Sequence, residues 1–312
     1  MDICIVGLGS IGTRHLYNLC HILEERRTAY AVDALRSTDS PMTSETTRMI
    51  RREYFSYDDL PDSYDIAIIS NPSSLHYNTL RQMAQKAHHV FVEKPVFDHA
   101  GYDLKELQLK EDSVYYVACP LRYHSVTSYL KPIADSEKIY SARVICSSYL
   151  PEWRSGIDYR KCYSAKKEMG GGVRIDLVHE WDYLWYLFGT PTCTNEMFGT
   201  FSSLEITSED LAVYIANYPD KLVSIHLDYF GRFKKREIEL YTEEDVIVGD
   251  FISSQVRFLK SKECIDLPQS RNEVQKMELV NFFDMVDGKI ANHNDIPTAM
   301  HVLNIALGGI KP

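Results

Sequence analysis

The sequence contains no C-x-x-C pair: its seven cysteines are odd in number and widely spaced, which excludes a zinc ribbon or a thioredoxin-type redox motif and reads as reduced thiols. Basic excess is missing too. A formal net charge of −10 argues against a general nucleic-acid or anionic-membrane binder, because such proteins need a basic surface to release counterions. No run approaches the ~18 consecutive apolar residues of a membrane-spanning helix, and no basic stretch followed by an apolar run and cleavage site opens the chain. Low-complexity segments and internal repeats are absent as well. The expectation is a cytoplasmic protein with a small-molecule partner, with no nucleic acid and no membrane.

At 312 residues the chain is long for one domain, and its 45% apolar and 25% charged composition is that of a folded globular protein. Short apolar runs alternate with helix-like stretches in the first third, the pattern of a parallel sheet covered by helices. Strands are predicted at residues 3–6, 30–35, 66–70, 90–93 and 114–118, and helices at 11–26, 75–87 and 102–109. After Pro120 the character changes. A helix is predicted over 176–188, strands over 139–149, 210–218, 222–229 and 237–241, and closing helices over 274–287 and 297–306. The predicted fold class is therefore an α/β Rossmann domain over residues 1–119, then an α+β domain with an open, mainly antiparallel sheet over 120–312. Its closing helix is a candidate to return to the first domain.

The first predicted strand runs into Gly7-Leu8-Gly9-Ser10-Ile11-Gly12, which opens a helix. Three glycines at this spacing occur by chance in ordinary turns, but between a strand and a helix they allow a tight turn, close approach of a pyrophosphate, and close helix–sheet packing. Asp33 lies at the separation expected of an acid that binds the adenosine ribose of NAD. The apolar run, however, continues through Ala34 and Leu35 and leaves Arg36 and Ser37 at the strand tip. A guanidinium and a hydroxyl there would suit a 2′-phosphate, which tilts the choice between NAD and NADP slightly towards NADP; a solvated loop arginine is the plain alternative.

Further along, Ser70-Asn71-Pro72-Ser73-Ser74-Leu75-His76 ends one strand and starts a helix, and Glu93-Lys94-Pro95 ends the next. Ligands of open parallel sheets bind beyond the carboxyl ends of the strands, so these residues are candidates to line one crevice. In the second half, Gly170-Gly171-Gly172 leads into a helix carrying Asp176, His179, Glu180 and Asp182. Without an H-E-x-x-H pair or a nearby cysteine, metal binding is disfavoured and no metal is predicted. An isolated helix histidine is by default a satisfied core residue; the company of Lys94 and the glycine fingerprint overturns that default.

Together with Thr13-Arg14-His15, which follows the glycines directly, and Leu121-Arg122-Tyr123-His124, these segments resemble the glucose-fructose oxidoreductase, inositol dehydrogenase and MocA family, in the family's order and across both domains. The resemblance implies hydride transfer between NAD or NADP and a secondary alcohol or ketone of a sugar or related polyol, and an open sheet that mediates a homo-oligomer, dimer or tetramer. It implies Lys94, His179 and Asp176 as catalytic candidates. The fingerprint and the residues at the strand ends make Gly7, Gly9, Ser10, Ile11, Gly12, Arg36, Ser37, Asn71, Pro72, His76, Glu93 and Lys94 the cofactor-binding candidates. Two residues separate Asp176 from His179 where family members commonly have three. A histidine is suited to take the hydroxyl proton near neutral pH, a lysine to stabilise the alkoxide, and an aspartate to orient either histidine or substrate.

Residues 153–167 carry Arg154, Arg160, Lys161, Lys166 and Lys167 beside Trp153, Tyr159 and Tyr163. With Arg122, Tyr123 and His179, residues Trp153, Arg154, Arg160 and Tyr163 are the candidate substrate contacts, suited to an anionic sugar or nucleotide sugar; a solvated basic loop is the bland reading. Two other functions stay open, a redox-assisted glycosidase that uses NAD without net consumption and a dinucleotide-binding regulator without catalysis.

Overall fold

The computed structural model describes residues 1–311 and divides into two compact units, Met1–Ala118 with Arg271–Met300, and Cys119–Ser270 with the residues from His301 onward. In the first unit six strands, β1 (Asp2–Val6), β2 (Ala31–Leu35), β3 (Arg52–Tyr54), β4 (Tyr64–Ile69), β5 (Ala87–Val92) and β6 (Tyr115–Val117), form one sheet in the order β3-β2-β1-β4-β5-β6. Every pair is parallel. Ile3, Cys4 and Ile5 in β1 and Ile66 to Ile69 in β4 have no exposed surface, which is why these strands read as unbroken apolar runs and not as alternating ones. Strand order reverses direction at β1 and β4, so the switch point lies at their carboxyl ends.

Helix α1 (Ser10–Glu25) buries Gly12, His15, Leu16, Leu19, Ile22 and Leu23, a helical stripe facing the sheet. Helices α2 (Ser44–Met49) and α3 (His76–Lys86) complete the crossovers that the first strands require. The helix expected over 102–109 is a correction: only a turn at Leu104–Leu107 forms, closed by Gln108 at φ 50°. Tyr102 is drawn away by its stacking on Tyr77 and His99, with centroids 4.1 and 4.0 Å away.

Expectation gave 120–312 to the second domain, with the closing helix a candidate to return to the first. In the structure the segment from Arg271 to Met300 packs with the first unit. Its helix, numbered last but one in chain order, is α7 (Arg271–Val286), and it lies along α1 through Asn18–Asn272 and Arg14–Gln275 hydrogen bonds and the Arg26–Asp284 ion pair. Asn294, buried just beyond, exchanges hydrogen bonds with both backbone groups of Val117 and so covers the sheet edge at β6.

The second unit holds α4 (Ser125–Ser136), α5 (Val173–Asp176), α6 (Val178–Phe188) and eight strands: β7 (Ile139–Tyr149), β8 (Cys193–Gly199), β9 (Leu211–Asn217), β10 (Leu222–Asp228), β11 (Phe230–Thr242), β12 (Val246–Asp250), β13 (Gln255–Phe258) and β14 (Cys264–Asp266). Their order is β14-β13-β12-β11-β7-β10-β9-β8, antiparallel throughout except for the parallel pair of β10 with β7. Alternate residues such as Ala142, Val144, Tyr214, Val223, Ile225, Ile238 and Leu240 are buried on one face. On the strands' other residues, Ile215 and Leu222 remain exposed. Helix α8 (Ile296–Ala306) carries the chain from the first unit into the second. Among the described residues no helix is long and apolar enough to cross a membrane.

His124 caps α4, its Nδ1 accepting from the Val126 amide at 3.2 Å. Burial, aided by the Arg236 charge, pushes this imidazole down to about 4. The neutral ring is therefore the folded form. Protonation begins near 6.5 in the unfolded chain and favours unfolding, so stability is full above that pH and falls as pH drops towards 4, by at most ~1.4 kcal/mol per pH unit from this group. Asn at this position keeps a capping acceptor without the titration. Urea unfolding between pH 7 and 5 is expected to show a shallower pH dependence for His124→Asn than for the wild type; identical slopes would contradict this.

Candidate functional site

At the carboxyl end of β1 the backbone turns at Gly7, whose φ of +89° and whose clearance from Asn71, 2.7 Å from an added Cβ to the amide nitrogen, both require glycine. Gly12 is tighter still. A Cβ there would lie 2.0 Å from the Gly7 carbonyl oxygen and 2.6 Å from Ser70 Oγ, so its absence lets α1 rest directly on the strand turn. Ser70 Oγ in turn donates to the Gly7 carbonyl at 2.7 Å, joining the ends of β1 and β4.

Gly9 differs from both. Its φ of −72° is ordinary, and nothing lies within 4 Å of where its Cβ would stand. It is the N-cap of α1, makes no side-chain cap, and is followed by a first turn without acidic residues. Ser10 and Ile11 thus head a helix whose start, exposed at Gly9 and Ser10 and half-buried at Ile11, carries the amide donors and the positive dipole end. Beside this end, the buried Oδ1 of Asn71 has no hydrogen-bond partner among the described residues, while its Nδ2 donates to Thr79 Oγ1 at 2.8 Å. Open space over a glycine, unused helix amides and an orphaned acceptor fit a dinucleotide whose pyrophosphate sits at the helix N-terminus.

The next strand ends are braced to this one. Pro72 leads into α3, and His76 at its start places Nε2 2.9 Å from the Asn71 carbonyl and Nδ1 2.9 Å from that of Pro95. Burial pushes the His76 imidazole below its usual value, the two carbonyl contacts pulling the other way. Glu93 is gripped by His15 Nε2 at 2.6 Å and by the Lys94 amide at 3.1 Å. Burial raises the Glu93 carboxyl, but the His15 hydrogen bond and the neighbouring charges of His15 and Lys94 outweigh it and hold the group below its ordinary range. Lys94, half-buried, precedes Pro95 through a cis peptide bond.

At the tip of β2, Asp33 proves to be inside the strand and fully buried, bidentate to Arg51 at 2.9 and 2.7 Å and bonded by Tyr64 at 3.0 Å. Arg36 and the exposed Ser37 follow the strand end. The Arg36 guanidinium donates to the Glu53 carboxylate and to the Ser40 carbonyl.

In the second unit, Asp176 ends α5 and is buried; Tyr229 donates to its Oδ2 at 2.6 Å. Tyr163 is the other phenol against it. Burial and the Asp176 charge together raise both phenols above their usual value. Trp153 packs edge-on against Tyr229 at 5.2 Å, and Arg154 lies over the Tyr163 ring at 5.5 Å, so these four residues gather around one carboxylate. Arg160 turns instead to Asp158 and Glu205, at 2.9 and 2.8 Å, on the exposed surface.

His179 is half-buried in the first turn of α6. Buried Arg122 is bidentate to Asp182 on that helix, at 3.0 and 2.7 Å, and the adjacent Tyr123 is buried as well. Sequence reasoning missed Tyr229, His15 as the anchor of Glu93, and Glu53; only His15 carried a signal, its place one turn beyond the glycines. Among the described residues no group of side chains could hold a metal ion.

Residues 1–117 match the family model GFO_IDH_MocA, described as an oxidoreductase family with an NAD-binding Rossmann fold. Solved structures similar to the whole chain include UDP-N-acetylglucosamine 3-dehydrogenase GnnA from Acidithiobacillus ferrooxidans, at 17% identity over 100% of this chain and 97% of that one, with a TM-score of 0.75. The WlbA dehydrogenase from Bordetella pertussis, in complex with NADH and UDP-GlcNAcA, matches at 16% identity over 99% and 94%, with a TM-score of 0.81. Levoglucosan dehydrogenase in complex with NADH and levoglucosan matches at 16% over 99% and 95%, also at 0.81. At these identities the likeness is one of fold. No curated protein matches the sequence significantly.

The contact of Gly12 with the Gly7 carbonyl yields a direct test. Gly12→Ala is expected to lower unfolding free energy by about 1–3 kcal/mol, since α1 must lift from the sheet; a variant as stable as the wild type in urea would contradict the close-packing account.

Proposed function

We propose that the chain, whose residues 1–117 match the model of the Gfo/Idh/MocA oxidoreductase family, transfers hydride between a nicotinamide dinucleotide and a secondary alcohol or ketone of a sugar or sugar derivative. The observation that carries this reading is the uncapped start of α1 at Gly9, open above its glycine and flanked by the orphaned Asn71 acceptor. The bound nicotinamide supplies the hydride acceptor or donor. Ser10, Ile11 and the glycine backbone hold the pyrophosphate through amide donors. Asn71, Pro72 and His76 line the pocket, the last by fixing the Asn71 and Pro95 carbonyls.

Each remaining role follows from what a side chain can do. Lys94, anchored through its own amide on Glu93, hydrogen-bonds the reacting hydroxyl and stabilises the developing alkoxide. His179 takes the hydroxyl proton in oxidation and returns it in reduction. Asp176, held by Tyr229, orients the substrate or the histidine. Trp153 and Tyr163 offer aromatic faces to a sugar, and Arg154 over Tyr163 offers a cation to an acidic sugar or a nucleotide diphosphate. Arg160 is engaged with Asp158 and Glu205 and Arg122 with Asp182, so we assign Arg122 and its neighbour Tyr123 to fixing α6. Cysteines that form no disulfide fit a reducing compartment such as the cytoplasm, and the exposed Ile215 and Leu222 of the second sheet support assembly as a homo-oligomer.

The experiment is a panel of sugars, sugar acids and nucleotide sugars, each offered with NAD and with NADP and followed by absorbance of the reduced cofactor. At least one alcohol is expected to be turned over, with Lys94→Ala and His179→Ala each lowering kcat by about 10²–10⁴-fold. No absorbance change with any alcohol would overturn the proposal.

A further inference from the structure

We infer that Glu53, a residue of β3, sets the choice of cofactor and turns an NADP-like strand tip into one that favours NAD. The inference rests on the dinucleotide reading above. In this fold an acid at the tip of the second strand takes the ribose hydroxyls of NAD, whereas an arginine nearby accommodates a 2′-phosphate. Strand β2 offers no acid at its tip: Asp33 is buried within it against Arg51 and Tyr64. Read along the chain alone, Arg36 and Ser37 therefore look like a phosphate site.

The register of the neighbouring strand changes that. Glu53 pairs with Ala34, and the Arg36 amide bonds the Tyr54 carbonyl at 2.9 Å, so β3 runs alongside the very end of β2 and delivers a carboxylate to it. That carboxylate accepts from Arg36 Nη1 while the Ser40 carbonyl accepts from Nη2. The Arg36 side chain is only 12% exposed and that of Glu53 is 32% exposed. Arg36 is thus neutralised and held on two sides, and the more accessible member of the pair is the anion. A 2′-phosphate, with close to two negative charges, would have to take Arg36 from Glu53 and then lie against the displaced carboxylate. The 2′-hydroxyl of NAD meets no such conflict and can donate to the carboxylate.

The test measures binding without hydride chemistry. ADP-ribose and its 2′-phosphorylated form are titrated by calorimetry into the wild type, Glu53→Gln, Glu53→Ala and the double variant Glu53→Gln/Arg36→Ala at fixed salt. The wild type is expected to prefer ADP-ribose. Removing the Glu53 charge is expected to shift the ratio of dissociation constants towards the phosphorylated ligand by about tenfold or more, and loss of Arg36 in the double variant to cancel that gain. The glutamine and alanine variants carry the same expectation, so either one that folds decides the matter. An unchanged ratio, or a wild type that already prefers the 2′-phosphate, overturns the role of Glu53 and leaves the oxidoreductase reading intact. Binding of neither ligand by the wild type overturns both.

Discussion

The carboxyl edge of the parallel sheet depends on how closely α1 approaches the backbone of Gly7. Gly12 makes that approach by having no side chain, and the consequences spread from there. With α1 seated on the turn, His15 one turn further along is brought to Glu93 at 2.6 Å, which fixes the end of β5 and with it the backbone of Lys94. Ser70 closes the other side against the Gly7 carbonyl, and His76 joins the exits of β4 and β5. The helix start is then left without a cap of its own, and the unmet amides become a fixed partial positive charge at the switch point of the sheet. Breaking a buried pair such as His15–Glu93 would leave a desolvated carboxylate without compensation, so the same interaction that positions Lys94 also contributes to the stability of the unit.

In the second unit α6 plays the corresponding part. Its first turn carries His179, and the chain is fastened on either side of that residue by groups taken out of water, Asp176 at the end of α5 and Glu180 and Asp182 on α6 itself. Asp176 bonds Tyr229, Glu180 pairs with Arg236 of β11 at 2.9 Å, and Asp182 receives Arg122. Burial raises the Glu180 carboxyl while Arg236 pulls it down. Pairs of this kind are costly unless their geometry is good, and they specify one position of the helix more than they add net stability.

Five of the six strands of the first sheet were legible in sequence because strands buried on both faces are continuous apolar runs, and the glycine fingerprint stood where a strand met a helix; β3, three residues long and only partly buried, was missed. The rest escaped for identifiable reasons. Helix α4 contains Pro132, which breaks a helical pattern on paper; at 102–109 the pattern was present but the stacking of Tyr102 outweighed it. Strands β12, β13 and β14 are five residues or shorter, and β8 is largely exposed, so alternation was too brief or too polar to register. Among site residues, Lys94, Asp176 and His179 lie in local motifs that a sequence displays. Glu53 reaches Arg36, 17 residues away, through the pairing of β3 with β2, and Tyr229, at the bend between β10 and β11, meets Asp176 at the end of α5; no local pattern announces either partner. Asp33 is the converse case: its separation from the glycines was suitable, and the strand's length put it in the interior.

The central claim is that the bare N-terminus of α1 above Gly9 receives the pyrophosphate of a nicotinamide dinucleotide. Its most direct test is a fluorescence titration of NADH into the wild type and into Gly9→Asp, which places a carboxylate in the open space over the helix start. One saturable site per chain in the wild type, and binding weakened by about 100-fold or more in the variant, is the result this account predicts. Equal affinity in the two proteins, or no saturable binding to the wild type, would contradict it.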